Sequence, residues 1–310
     1  MDWRNCGLTI AVRDMKLKKR YLYIIAAAAV ILLTVKIVAA QNQNTLKDAV
    51  MKEISGIASS RINKNVLYVH NDSGDTSRFF AISPSGQLLS TFYFKADAAH
   101  KNANVIDCED IAVGPGPKKT KSYVYLGDIG DNRAERSFIT IYRFSEPGVT
   151  GTKAASSIPA DAIRLKYPDG THDAETLMVD PIDRLFYIIT KREDSVGVYT
   201  APLNASFTDT IMLQKKCKLH FTGFPLMKWV TAGDISADGK QLLVKSYQNV
   251  YYWKRQPGEP VWKTLQRKPA ELPYTPEKQG EAIGFTPDGK AYYTVSEGKN
   301  APIYYYQIPK

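Results

Sequence analysis

The sequence has few of the side chains that zinc enzymes and nucleophilic hydrolases use. Histidine occurs four times in 310 residues, at His70, His100, His172 and His220. None of these is spaced as HxxxH or lies beside a CxxC, which argues against zinc. The motifs GxSxG, GxxxxGK[ST] and GxGxxG are also absent, which argues against a nucleophile-elbow hydrolase, a P-loop NTPase and a dinucleotide-binding fold.

Cysteine is scarce as well, with three in the whole chain. Cys6 lies in the N-terminal segment, and Cys108 and Cys217 lie further along. In an oxidising compartment these last two could pair. Two free buried thiols are an equal alternative, because spacing alone does not show that they meet.

The N-terminal 40 residues have the pattern of an export signal. Basic KLKKR at 16–20 precedes an apolar run at 21–40, and Val38 and Ala40 are small residues three and one positions before a cleavage point. We therefore predict that 1–40 directs the protein to the periplasm or outside the cell. The alternative is a retained membrane anchor, although Lys36 interrupts the apolar run.

Much of the positive charge belongs to this segment. The whole chain carries a formal charge of +10, and without 1–40 it has 34 basic and 29 acidic residues, a net charge of +5. No dense Lys/Arg run remains, so we expect no nucleic-acid partner and no membrane contact beyond the N-terminal segment. We expect a monomer.

Residues 41–310 contain a repeated unit, which we interpret as a single domain. Each unit opens with an acid, at intervals of 47 to 66 residues, and continues with two or three short runs rich in Tyr, Val and Ile. The opening acids are Glu53, Glu109, Glu175, Asp234 and Glu281.

Such repeats predict an all-β fold, a β-propeller with five blades of four strands. A degenerate sixth blade could lie within 204–230. The last unit lacks a fourth strand, so we expect a segment near Leu46 to Met51 to close the ring. We also expect a strand at VWKTLQ, 261–266.

The first strand of a propeller blade lines the central channel, so the five acids should form a ring at one end of it. Like charges in such a ring need a compensating cation or hydrogen-bond donors. Oxygen donors in this number suit Ca²⁺, or hydrated Mg²⁺. Alternatively, each carboxylate could accept backbone N–H bonds from the neighbouring blade and act as a structural clip.

Loops after the second strands should reach the same face, because the first two strands form an antiparallel hairpin. Asp107, His172, Asp173 and Gln279, which precede opening acids, should lie there too. The candidate ligand-binding residues at this face are Asn71, Asp72, Asp128, Asp131, Asn132, Asp173, Lys191, Arg192, Lys245 and Glu297.

The segments EISGIA, EDIAVG, EAIGFTPDGK and NDSGD resemble the superfamily of phytase-like β-propellers. The resemblance also extends to secreted bacterial propellers with NDSGD, GDIGDN and DAETLMVDP-like segments, and it covers about 50–308. It implies that Ca²⁺ is bound by the ring acids and that Lys191, Arg192 and Lys245 contact phosphate. A metal-held water would then attack phosphorus.

Two hypotheses follow. The first is an exported, metal-dependent phosphate-ester hydrolase, in which the three basic side chains converge on the acids around an open pocket. The second is a non-catalytic binding or scaffold propeller for a glycan, a peptide or an envelope component. It predicts a plugged channel and acids satisfied by backbone donors.

Overall fold

The structure is a computed structural model that describes residues 43–97, 104–118, 120–151 and 153–309. The predicted signal or anchor at 1–40 lies outside the described residues. Within them, no helix is both long enough and apolar enough to cross a membrane. The prediction of an all-β propeller with five blades is confirmed.

Each blade is a sheet in which successive strands pair antiparallel, with the first strand innermost. Blade 1 contains β2 (Ile54–Ser59), β3 (Leu67–Asn71), β4 (Arg78–Ile82) and β5 (Leu88–Tyr93). Blade 2 contains β6 (Cys108–Pro115), β7 (Ser122–Asp128), β8 (Ile139–Ser145) and β10 (Asp161–Lys166). Blade 3 contains β11 (Ala174–Asp180), β12 (Leu185–Thr190), β13 (Val196–Pro202) and β15 (Gln214–Leu219).

The last two blades complete the ring. Blade 4 contains β16 (Val230–Ile235), β17 (Gln241–Ser246), β18 (Val250–Lys254) and β19 (Ala270–Leu272). Blade 5 contains β20 (Gly280–Phe285), β21 (Ala291–Ser296), β22 (Pro302–Gln307) and the N-terminal β1 (Gln43–Thr45). In the described part of the chain, 204–230 holds no sixth blade.

Two blades have a fifth strand, which the four-strand prediction did not include. β9 (Ala154–Ser157) pairs parallel with β5, and β14 (Ile211–Met212) pairs parallel with β10. Both strands come from connections within the next blade along the chain, so neighbouring blades are tied together at their outer edges.

Five apolar clusters fill the spaces between adjacent blades. β12 shows how one strand serves two of them. Phe186 and Ile188 pack toward blade 2, whereas Tyr187 and Ile189 pack toward blade 4. Alternate residues of a strand point to opposite faces, and both faces are buried here. The run is therefore apolar throughout rather than alternating with polar residues.

One local prediction was wrong, and another, closure of the ring by the N-terminal segment, was confirmed with the strand a few residues earlier than expected. The segment at 261–266 is a short helix, α1 (Val261–Leu265), and the fourth strand of blade 4 comes later. Val261 and Leu265 are buried at a spacing of four, which is a helical period, and Pro260 precedes them. The strand that closes the ring is Gln43–Thr45, whereas Leu46 and Met51 enter the core between blades 5 and 1.

Cys108 and Cys217 are both free thiols, on β6 and β15. Of the two alternatives that the sequence left open, the structure has unpaired cysteines.

Leu46 should be essential to ring closure, because it follows the closing strand and is fully buried. Leu46→Ala is expected to lower the free energy of unfolding by about 2–5 kcal/mol, as large-to-small core substitutions do. Urea denaturation of the full chain measures this. The matched control is Ile62→Ala, at a side chain that is 57% exposed. Equal losses in the two variants would contradict the role assigned to Leu46.

Candidate metal and ligand site

All five innermost strands carry a β-bulge near their start, and the bulge determines which side chain of each strand is directed to the site. The register of pairing between the first and second strands shifts by one residue in every blade. A bulge re-aims the extra side chain. The bulged residues are, in blade order, Ser55, Glu109, Glu175, Thr231 and Glu281.

Three of the five predicted ring acids are therefore equivalent and two are not. Glu109, Glu175 and Glu281 occupy the bulge and are 3–5% exposed. Glu53 lies two residues before the bulged Ser55, is half-exposed, and pairs with Lys52 at 3.4 Å. We call the end of the channel with the three buried glutamates the acid face.

Asp234 does not lie at the acid face. The inner strand of blade 4 begins at Val230, so Asp234 is near its far end. Its carboxylate accepts N–H bonds from Ile235 and from Phe285 of blade 5, each at 2.8 Å. This arrangement is the structural clip that the sequence left as an alternative.

A cluster of three carboxylates stands at the acid face between blades 1 and 2. Asp72 follows β3, Asp107 immediately precedes β6, and Glu109 is the bulged residue of β6. One oxygen from each lies within 4.8 Å of the other two. The sequence placed Asp72 and Asp107 on this face and Glu109 in the ring.

No positively charged side chain in the described ranges pairs with this cluster. Neither Asp72, Asp107 nor Glu109 has a Lys, Arg or His nitrogen within 4.0 Å there. Burial, with the carboxylates of Asp72 and Asp173, raises the pKa of Asp107 to about 7. Burial, Glu175 and Asp72 raise the pKa of Glu109 well above its usual range. Three adjacent carboxylates in a protein interior thus resist full ionisation without a bound cation.

Gly130, in the segment GDIGDN, covers the cluster with bare backbone. A Cβ at this position would lie 2.3 Å from Glu109 Oε1 and 2.5 Å from Asp107 Oδ2. The glycine therefore leaves room for the two carboxylates to meet.

The other half of the acid face has its own cation. Lys191 Nζ lies 2.7 Å from Glu175 Oε1 and donates to the Tyr247 hydroxyl at 3.1 Å. Tyr247 in turn donates to Glu281 Oε1 at 2.6 Å. Burial opposes the charge of Lys191, but the carboxylates of Glu175 and Glu281 outweigh it and raise its pKa.

Glu281 retains one unused acceptor. Its Oε2 is buried and has no hydrogen-bond partner among the described residues. Glu297 lies nearby, after β21, and burial together with Glu281 and Asp72 raises its pKa to about 7. Acceptor capacity at this face therefore exceeds the donors that the described residues supply.

Several predicted ligand residues instead hold the loops in place. Asp128 accepts N–H bonds from Ile106 and Asp107 and pairs with Arg136. Asp131 accepts from the backbone of Glu135 and Arg136. Asn71 donates to the Val50 carbonyl and to Asp75. These contacts fix the loops that present the carboxylate cluster.

Arg192, Asp173 and Asn132 form the outer rim of the face. The Arg192 guanidinium bonds to Asp173 and Asn132 and lies 5.0 Å from the Trp229 ring centroid. The Arg192 side chain is 37% exposed. Asn132 also donates to Asp107 Oδ2 at 3.2 Å, which connects the rim to the carboxylate cluster.

Lys245 does not converge on the acids as the hydrolase hypothesis expects. It is fully buried, and its ammonium donates to the Gly280 carbonyl and lies 5.0 Å from the Tyr274 ring centroid. Burial lowers its pKa to about 8.

Asp110 is a residue whose importance the sequence analysis missed. It is completely buried in the channel, and its carboxylate accepts N–H bonds from Ile111, from Leu177 of blade 3 at 2.9 Å and from Gly233 of blade 4 at 3.4 Å. The side chain thus ties three blades together across the channel. A second acid inside the repeated unit of blade 2 was the available signal.

No protein-family model matches this chain, and no curated protein matches it. The propeller fold agrees with what the resemblance implied, whereas membership of the phytase-like superfamily remains a prediction.

Lys191 should be indispensable to the fold of the acid face. Lys191→Met leaves Glu175 buried without its cation and is expected to cost about 3–5 kcal/mol in the free energy of unfolding. Lys52→Met removes the exposed pair with Glu53 and should cost about 0–1 kcal/mol. Urea denaturation of the two variants compares these costs. Similar losses in the free energy of unfolding would show that the buried Lys191–Glu175 pair stabilises the protein no more than the exposed Lys52–Glu53 pair.

The stability of the metal-free protein should fall as pH rises from about 4 to about 7. Asp107 binds a proton more tightly in the folded state, where its pKa is about 7, than in the unfolded state, where it is 3.8. The folded state therefore holds more protons in this window and loses that advantage as they dissociate. Asp107→Asn should make the free energy of unfolding decrease less steeply over this pH range.

Urea denaturation in a chelator across this pH range measures the effect. Asp209→Asn, at an exposed position, is the matched control and should keep the slope of the wild type. An unchanged slope in Asp107→Asn would contradict the assignment.

Proposed function

We propose that the propeller binds a divalent cation of the Ca²⁺ type at Asp72, Asp107 and Glu109. The observation that carries the proposal is that these three carboxylates lie within 4.8 Å of one another. No Lys, Arg or His side chain in the described part of the chain pairs with them. Oxygens bonded to Ca²⁺ at 2.3–2.6 Å can be up to about 5 Å apart, so the spacing suits this ion. The bare backbone at Gly130 supports the same conclusion.

The bound cation would serve to hold a small anionic ligand. Three protein carboxylates leave several positions of a six- to eight-coordinate ion open to ligand oxygens or water. Arg192 on the adjacent rim has an exposed guanidinium that can contact a carboxylate or phosphate. In this proposal the protein is exported, acts as a monomer, and recognises its ligand or an envelope partner at the acid face.

Phosphate-ester hydrolysis is the narrower candidate, as the phytase-like resemblance implies. A bound Ca²⁺ would supply a polarised water and charge neutralisation. However, Lys191 is occupied by Glu175 and Tyr247, and Lys245 is buried on a carbonyl. This leaves Arg192 as the one of the three predicted phosphate contacts that is exposed, so the geometry favours binding over catalysis.

Calcium should stabilise the full chain, and Gly130→Ala should abolish the effect. At 100 times the dissociation constant, a single site adds about 2.7 kcal/mol, which corresponds to roughly 5–10 °C in melting temperature for a domain of this size. An alanine Cβ at position 130 would displace the two carboxylates. Thermal melts after chelation, with and without Ca²⁺, measure the shift.

The matched control is Gly148→Ala, where a Cβ meets no other atom within 4 Å. It should keep the full shift. A shift that is absent in the wild type, or equal in both variants, would overturn the proposed site. Turnover of p-nitrophenyl phosphate in the same samples separates the two candidates, since a Ca²⁺ shift without turnover supports binding alone.

A further inference from the structure

The opposite end of the channel contains a second, chemically different cavity. It has a volume of about 200 Å³ and opens between the inner strands of blades 1, 2, 4 and 5. This is space for about seven waters or for a small organic molecule. Its walls are more apolar than polar, with Val113, Ile235, Phe285 and Pro287 among the lining residues beside the hydroxyl-bearing Ser59 and Thr286.

Arg61 is the cation of this cavity. It follows β2, and its Nη2 reaches to 3.9 Å from the position that a Cβ on Gly114 of blade 2 would occupy. The guanidinium has no hydrogen bond and no ion pair with any residue that the structure describes, although the backbone N–H of Arg61 donates to Glu146. The N–H donors of this guanidinium are therefore left without a protein partner among the described residues, beside a half-buried space.

Asp234 supplies the opposite charge above neutral pH, because burial raises the pKa of its carboxyl to about 7. Two of its lone pairs accept the backbone N–H groups of Ile235 and Phe285, which fixes the carboxylate on the cavity wall. Its remaining lone pairs are free to accept from a ligand. Arg61 is farther than 4.0 Å from it, so the two charges do not pair directly.

The charges around Arg61 are consistent with a guanidinium that is charged but has no ion-pair partner in the described part of the chain. Burial lowers the pKa of Arg61, while the carboxylates of Asp234 and Glu146 act in the opposite direction. Guanidinium keeps its proton at any physiological pH, so the charge persists in a desolvated setting. An anion that enters the cavity would replace the water that this group has lost.

The cavity is independent of the acid face. Val113 lies four residues after Glu109 on β6, which places the two ends about 13 Å apart. Asp110 bridges three blades between them. Binding at one end can therefore be tested without a ligand at the other.

We propose that this cavity binds a small apolar amino acid, with its carboxylate on Arg61 and its ammonium on Asp234. The separated opposite charges select a molecule that carries both groups. The apolar part of the walls favours a short hydrocarbon side chain, and the volume of about 200 Å³ suits a molecule of that size. This function is additional to cation binding and does not depend on it.

Calorimetric titration of the full chain with alanine, valine, leucine and phenylalanine tests the proposal, in chelator and at a pH of about 8, where the Asp234 carboxylate is ionised. At least one of them should bind. Its deaminated acid and its decarboxylated amine should each bind at least about tenfold more weakly, because each loses one charge-assisted contact. Arg61→Gln should weaken binding of the amino acid by a similar factor. Arg133→Gln, at an exposed arginine, should have no effect.

A second variant blocks the cavity without removing charge. Ala237 lines the cavity and is exposed, so Ala237→Phe should abolish binding and leave the melting temperature unchanged. The proposal is overturned if none of the four amino acids binds at about 10 mM. Equally tight binding of the deaminated acid, or undiminished binding by Arg61→Gln and Ala237→Phe, would also overturn it.

Discussion

Repulsion among Asp72, Asp107 and Glu109 is the constraint on which the acid face depends. Folding brings the three carboxylates together because β3 of blade 1 ends where β6 of blade 2 begins, and because a bulge directs Glu109 toward the channel. Since two of the three are more than nine-tenths buried, water screens the repulsion poorly. The arrangement is stable only if protons remain bound or if a cation takes their place. Asp128 and Asp131 accept backbone N–H bonds from the loops that present the carboxylates, and these bonds hold the loops in place against that repulsion.

Residues of one chemical type have three different roles in this channel, and the partner decides which. Glu175 is neutralised by Lys191, while Asp110 and Asp234 are stabilised by backbone N–H groups of neighbouring blades. The carboxylate cluster has no Lys or Arg partner in the described ranges, and its hydrogen-bond donors are the Ser73 N–H, the Asn132 amide and the Ser55 hydroxyl. In the middle of the channel, Asp110 ties three blades together. The two ends of the channel differ in their chemistry. One end is rich in oxygen acceptors, and the other presents Arg61 and Asp234 across an apolar gap.

Much of this fold was predictable from sequence, because short Tyr-, Val- and Ile-rich runs recur with an acid before each. Five blades and closure by the N-terminus follow from that periodicity. The position of the acids within the blades was less predictable. Alignment on the first acid of each unit selected Glu53 and Asp234, whereas alignment on the small and apolar residues that follow would have selected Ser55 and Thr231. Bulges cause the difference, since they shift the register without a distinct sequence pattern. The polar closing strand and the α1 helix have similarly weak local signals.

The most direct test of the central claim is a crystal structure of the protein grown with Ca²⁺ at neutral pH or above. The account predicts an ion bonded to oxygens of Asp72, Asp107 and Glu109 at about 2.3–2.6 Å, with Lys191 still on Glu175. A cluster filled by water or by a lysine side chain, with Ca²⁺ absent or bound elsewhere, would contradict it.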